Sequence, residues 1–147
     1  MNSSPNSGPL KRARQSELHL RLKQQVATEL SRRGFEVMFE FRLADVVGFH
    51  LPAGIVLAVE IELSSRNVVA NLLRNLGNGF KVILIAVRPP QVGNIERLIQ
   101  PHVAAASRGA TVSVIAADSQ LLGLRSLLEK VLSEHEGRFQ QEEFRHV

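Results

Sequence analysis

Cysteine is missing from all 147 residues, and so are tryptophan and tyrosine. Without thiols the chain can form no disulfide, no zinc ribbon and no cysteine nucleophile. Such a chain fits a reducing compartment, and the cytoplasm is the expected location. Without Trp or Tyr, aromatic stacking falls to the seven phenylalanines. Those read mainly as buried or terminal, so stacked readout of a single strand has little support. No apolar run reaches the roughly 18 residues of a membrane span, so no membrane partner is expected. The opening "MNSSPNSGPLKRAR" has no apolar stretch after its charges and does not read as a secretory signal. The G-x-x-x-x-G-K-[ST] loop, the G-x-G-x-x-G frame, the His-Glu-x-x-His pair and the G-x-S-x-G elbow are all absent. Their absence removes the P-loop, dinucleotide, zincin and hydrolase-elbow readings.

Charge is present but uneven. The formal net charge is +4. Residues 1–33 carry seven basic and two acidic side chains, a balance of +5 that leaves −1 for residues 34–147. A basic N-terminal third points either to an anionic partner such as nucleic acid or to a solvated surface helix.

The patterning implies one domain over residues 15–135, a disordered basic leader over 1–14 and a flexible tail over 136–147. Residues 15–33 read as a helix capped by Ser16, with Leu18, Leu22, Val26 and Leu30 as its apolar stripe. "FEVMFEFRL" alternates Phe35, Val37, Phe39, Phe41 and Leu43 with polar residues, the signature of a half-buried strand. "ADVVGF", the turn "HLPAG" and "IVLAVEIEL" follow as a second and third strand. A helix over 65–78 has Val68, Leu72 and Leu76 inward, and "GFKVILIAV" is a fourth strand. A helix over 91–108 has Ile95, Leu98, Ile99 and Val103 inward. "ATVSVIAA" is a fifth strand, and a last helix is capped by Ser119. The expected fold is α/β in the order αβββαβαβα, a mixed five-stranded sheet flanked by helices.

Strand three ends in "VEIEL". Glu60 and Glu62 point to one face, about 7 Å apart. Asp45 starts strand two, and an antiparallel hairpin brings the start of one strand beside the end of the other. Three neighbouring carboxylates repel, and a divalent cation relieves the repulsion; oxygen donors suit Mg²⁺ or Mn²⁺. Such a cation serves phosphodiester hydrolysis. The alternative is a strand end emerging into solvent and paired with Arg42 or Arg66.

Helix, strand, "RLADVV", turn, "VEIEL", helix and strand resemble the PD-(D/E)xK, or restriction-endonuclease-like, nucleases over about residues 15–87. "VEIELSSRNVVANLLRNLGNGFKVILIAV" also looks like a subgroup found in mobile-element and defence-related proteins. The resemblance implies a magnesium-dependent DNA nuclease with Asp45 and Glu60 as metal ligands. Glu62 stands where the family usually has Lys, and it would act as a third ligand or a general base. The missing Lys leaves open a non-catalytic module that binds DNA or assembles into a nucleoprotein complex. A Rossmann-like regulatory domain is a further alternative, and a homodimer is possible on family grounds.

Further acidic or polar candidates for the site are Glu17, Glu29, Glu40, His19, Asn67 and Asn71; each could equally be a solvated or capping residue. Arg14, Arg21, Lys23, Arg66 and Arg74 are the candidate phosphate contacts for DNA.

Overall fold

A computed structural model describes the backbone of residues 7–145 and the side chains of residues 16–134. Five strands form a single mixed sheet in sequential order: β1 (Glu36–Phe39), β2 (Val46–His50), β3 (Ile55–Glu62), β4 (Val82–Val87) and β5 (Thr111–Ala116). β1 pairs antiparallel with β2, and β2 with β3; β3–β4 and β4–β5 are parallel. Among the described residues, four α-helices flank the sheet: α1 (Ser7–Arg32), α2 (Val68–Gly77), α3 (Val92–Ala106) and α4 (Leu122–Arg145). The α/β class, the five strands and the element order follow the patterning of the sequence.

Strand alternation sorts the core into two layers. Leu57, Val59 and Ile61 of β3 face one side, with Leu84 and Ala86 of β4, and pack under α1 and α4. There Leu22, Val26, Leu30, Leu124 and Leu128 complete a buried layer. The intervening residues, Ala58 of β3 and Ile83, Ile85 and Val87 of β4, face α2 and α3. Val68, Leu72, Ile95 and Ile99 close that layer. The two parallel crossovers therefore carry their helices on the same face, as right-handed connections require. Glu60 and Glu62 belong to this second face by the same parity.

Several local expectations are corrected. The helix begins by Ser7, so residues 7–14 are its first turns instead of a disordered leader. "LKRAR" consists of strong helix formers, which explains the extension. Residues 136–145 likewise continue α4 instead of forming a loose tail. Residues 1–6 and 146–147 of the expected leader and tail lie outside the described residues. Asp118, not Ser119, caps α4: its Oδ1 accepts the N–H groups of Gln120 at 3.1 Å and Leu122 at 3.4 Å. Leu98 is 40% exposed, because the Ile95–Ile99 line meets the sheet and Leu98 lies to its flank.

The largest departure is at β1. It stops at Phe39, and a 3₁₀ turn over Phe41–Leu43 replaces the expected strand end. Glu40, Arg42 and Leu43 have φ of 56°, 51° and 68°, a left-handed region costly for non-glycine residues. Phe39 and Leu43 consequently stand 49% and 66% exposed. The turn is clamped to the end of α2. Arg42 Nη1 donates to the Asn78 carbonyl at 2.8 Å, and Asn78 Nδ2 donates to the Arg42 carbonyl at 3.0 Å.

Gly48 sits where β2 passes beneath α1. A Cβ there would lie 3.0 Å from Phe35 Cδ1 and 3.3 Å from Leu30 Cδ1. Both neighbours are buried, so they cannot yield freely. Gly48→Ala is therefore expected to destabilise the fold by about 1–3 kcal/mol, measured by urea denaturation. An unchanged midpoint would mean that this layer is less tightly packed than its contacts imply.

Candidate functional site

The β2–β3 ladder ends at Val46 opposite Val59. Asp45 lies just before that end and Glu60 and Glu62 just beyond it. The carboxylate of Asp45 takes over from the ladder: Oδ2 accepts the Ile61 N–H at 2.8 Å. His19 reaches the same oxygen from α1, with Nε2 at 3.2 Å. These two donors fix the position of Asp45 on the rim of an open cleft of ≈ 570 Å³. Asp45, Glu60 and Glu62 all line it, together with His19, Asn67, Asn71 and Arg74.

α2 supplies the opposing wall. Arg74 Nη2 donates to Glu60 Oε1 at 2.6 Å and to the Leu43 carbonyl at 3.0 Å. Arg74 Nη1 donates to Asn71 Oδ1 at 3.0 Å, and Asn71 Nδ2 donates to Glu62 Oε1 at 2.6 Å. Asn75 Nδ2 donates to Glu60 Oε1 at 3.0 Å. Asn71, Arg74 and Asn75 lie at i, i+3 and i+4, so one turn of α2 serves both glutamates. Asn75 is fully buried and absent from the sequence-based candidates. A polar "NLLRN" interrupting an apolar helix was the available signal.

Environment separates the three carboxyls. Burial pushes Glu60 up to about 7; Asn75 and Arg74 oppose that, and the neighbouring Asp45 carboxylate adds to it. Burial also raises Glu62, against the Asn71 hydrogen bond. Asp45 is pushed up by burial, but its bonds from His19 and Ile61 outweigh that and hold it below its ordinary value. His19 is raised, chiefly by its bond to Asp45. One carboxylate is thus held ionised beside two that keep protons more readily, an arrangement typical of acid–base sites.

Glu62 Oε2 accepts no hydrogen bond from a described donor, and Asp45 and Glu60 lie close enough to hydrogen-bond each other when Glu60 is protonated. These carboxylates are hard oxygen donors, suited to a divalent cation. However, among the described residues no three His, Cys, Asp or Glu side chains are disposed to share one metal ion.

The remaining candidates divide. His19 and Asn71 join the site, and Asn67 lines it. Glu40 does not line the cleft; it pairs with Lys23, whose ammonium also lies 5.4 Å from the centre of the Phe39 ring. Glu17 is exposed on α1 away from the lining. Glu29 is excluded by distance, being about 15 Å further along α1 than His19. Arg21 is two residues from His19, about 200° round the helix, and faces away from the cleft. Arg66 is exposed and makes no ion pair among the described residues. Arg74 serves as the counter-ion of Glu60, an ion pair expected of Arg42 or Arg66 if of any residue. The side chain of Arg14 lies outside the described residues.

No helix among the described residues is long and apolar enough to cross a membrane. Neither a protein-family model, nor a curated protein, nor a solved structure significantly matches the chain.

Proposed function

We propose that this chain is a restriction-endonuclease-like domain that hydrolyses phosphodiester bonds in DNA with Mg²⁺ or Mn²⁺. The observation that carries the reading is the lining of one cleft by Asp45, Glu60 and Glu62 at the ends of β2 and β3. Asp45 and Glu60 would hold the cation, which supplies charge stabilisation at the phosphate and a more acidic bound water. Glu62 has an unengaged oxygen and a raised pKa, so it is suited to take the proton of the attacking water. His19 holds Asp45 ionised and oriented. Arg74 lines the cleft and would supply a positive charge there in the absence of the family's Lys.

A second reading has its own observation. Glu60 is already satisfied by Arg74 and Asn75. A carboxylate so neutralised suits a nuclease-fold module that holds DNA, or assembles with a larger complex, without cutting it.

Incubation with supercoiled plasmid and Mg²⁺ or Mn²⁺ separates the two. Nicking that EDTA stops supports the enzyme; retention of DNA without nicking supports the module. A chain that neither cuts nor retains DNA overturns both. Cation binding has a separate thermal readout. At about 100 times its dissociation constant, Mg²⁺ should stabilise the fold by about 2.7 kcal/mol. The gain should be larger at pH 8 than at pH 6, because the cation competes with the proton on Glu60. Equal gains at both pH values would place the ion elsewhere.

A further inference from the structure

On the other side of α1, Glu29 is buried with its side chain only 7% exposed. Three guanidinia converge on it: Arg125 Nε at 3.2 Å, Arg33 Nε at 3.5 Å and Arg32 Nη1 at 3.8 Å. Arg33 also reaches Glu129 at 3.1 Å, which gives it a carboxylate of its own. Arg32 and Arg125 are left sharing the single charge of Glu29. Arg21 has no acidic partner among the described residues.

Arg21, Glu29, Arg32 and Arg125 line a cleft of ≈ 280 Å³ between α1 and the segment entering α4. Its charged lining is Arg21, Arg32, Arg125 and Glu29, a balance of +2. The Nε–H of Arg125 is buried and has no acceptor in hydrogen-bonding geometry, despite its proximity to Glu29. Glu29 is too enclosed to be a ligand for anything else. Its effect is to hold guanidinia in place at the cleft, so that little side-chain entropy is lost when an anion arrives. Asp118 already takes the N–H groups of Gln120 and Leu122, so the backbone at the start of α4 contributes little.

We propose that this cleft is a binding site for a dianionic phosphate, separate from the carboxylate cleft. The local balance of +2 matches the charge of inorganic phosphate or a phosphate monoester near neutral pH. Guanidinia match its oxygens through paired N–H donors. The same group can come as free phosphate or as the terminal phosphate of a larger molecule. The assignment does not rest on the nuclease reading.

Thermal melting and calorimetric titration of the full chain with inorganic phosphate, at ionic strength matched with chloride, test it. A saturable response is expected. Arg125→Ala is the obvious variant, but it strips a partner from buried Glu29 and threatens the fold. Arg21→Ala removes no ion pair and is expected to weaken phosphate binding about tenfold. Short duplexes with and without a 5′-phosphate distinguish the sources. Tighter binding of the phosphorylated duplex, lost in Arg21→Ala, assigns a terminal phosphate; equal binding assigns free phosphate. A phosphate response no greater than that to chloride, or one that Arg21→Ala leaves intact, overturns the proposal.

Discussion

Asp45→Asn should slow the proposed metal-dependent cleavage by roughly 10²–10³-fold, the range seen when one precisely placed electrostatic group is lost from an active site. The change is nearly isosteric. Asn can still accept the Ile61 N–H that Asp45 accepts at 2.8 Å, so the end of the ladder keeps its partner. What disappears is the charge. Asp45 is held ionised by His19 and Ile61, so it is the carboxylate most certain to be available to a cation at neutral pH. Nicking rates measured across a range of Mg²⁺ concentrations would show partial recovery at high metal if the loss lies in affinity. His19 supplies a control independent of cutting. Its pKa is raised mainly by Asp45, so an NMR titration should find it lower in the variant. A variant that nicks as fast as wild type would remove Asp45 from the chemistry.

Glu60 should make the protein less stable as the pH rises. Its carboxyl moves from an ordinary 4.5 to about 7 on folding. The folded state then binds the proton more tightly than the unfolded state. The stabilisation is full below about 4.5 and is lost as the pH climbs through about 7. The shift corresponds to about 3 kcal/mol. Glu62 and His19 are also raised and add the same sign. Asp45 is lowered, so its contribution is kept above its ordinary 3.8 and lost only in stronger acid. Urea denaturation at pH 5 and pH 8 should show the difference, and Glu60→Gln should remove most of it. Arg74→Met sharpens the test. Removing one partner of a buried ion pair costs about 3–5 kcal/mol when the other must stay charged. Here Glu60 can take a proton instead, so the variant should be strongly destabilised at pH 8 and only mildly at pH 5. If Arg74→Met costs the same at both, the ion pair is not what holds Glu60 ionised.

The sheet was legible in the sequence because its two periods are clean. Val46–His50 and Ile55–Glu62 flank a Pro–Gly turn, and the antiparallel hairpin follows from that alone. The same hairpin put Asp45 beside Glu60, so the carboxylate cleft was readable before any side chain was placed. The end of β1 was not. Phe41 and Leu43 continue the alternation perfectly, and no glycine or proline marks the left-handed turn that carries them out of the sheet. Tertiary contacts decide there: the clamp between Arg42 and Asn78 spans 36 residues. Arg74 was visible as a cation but not as the partner of Glu60, since the pairing depends on how α2 is rotated over β3. Glu29 shows the opposite error. It sits at the edge of an apolar stripe, as an inward catalytic acid would. It is inward indeed, but its partners are arginines from the two terminal helices.

That knot of arginines also sets an order of events during synthesis. Arg33 reaches Glu129 across 96 residues, and Arg125 comes from the same late segment. On the ribosome, α1 emerges first and can lay its apolar stripe on β2 and β3 as soon as they follow. Glu29 has Arg32 and Arg33 beside it from the start, but its third guanidinium, Arg125, arrives only when α4 has been made. The first helix is therefore finished by the last, and a nascent chain halted before α4 would carry an incompletely sealed core.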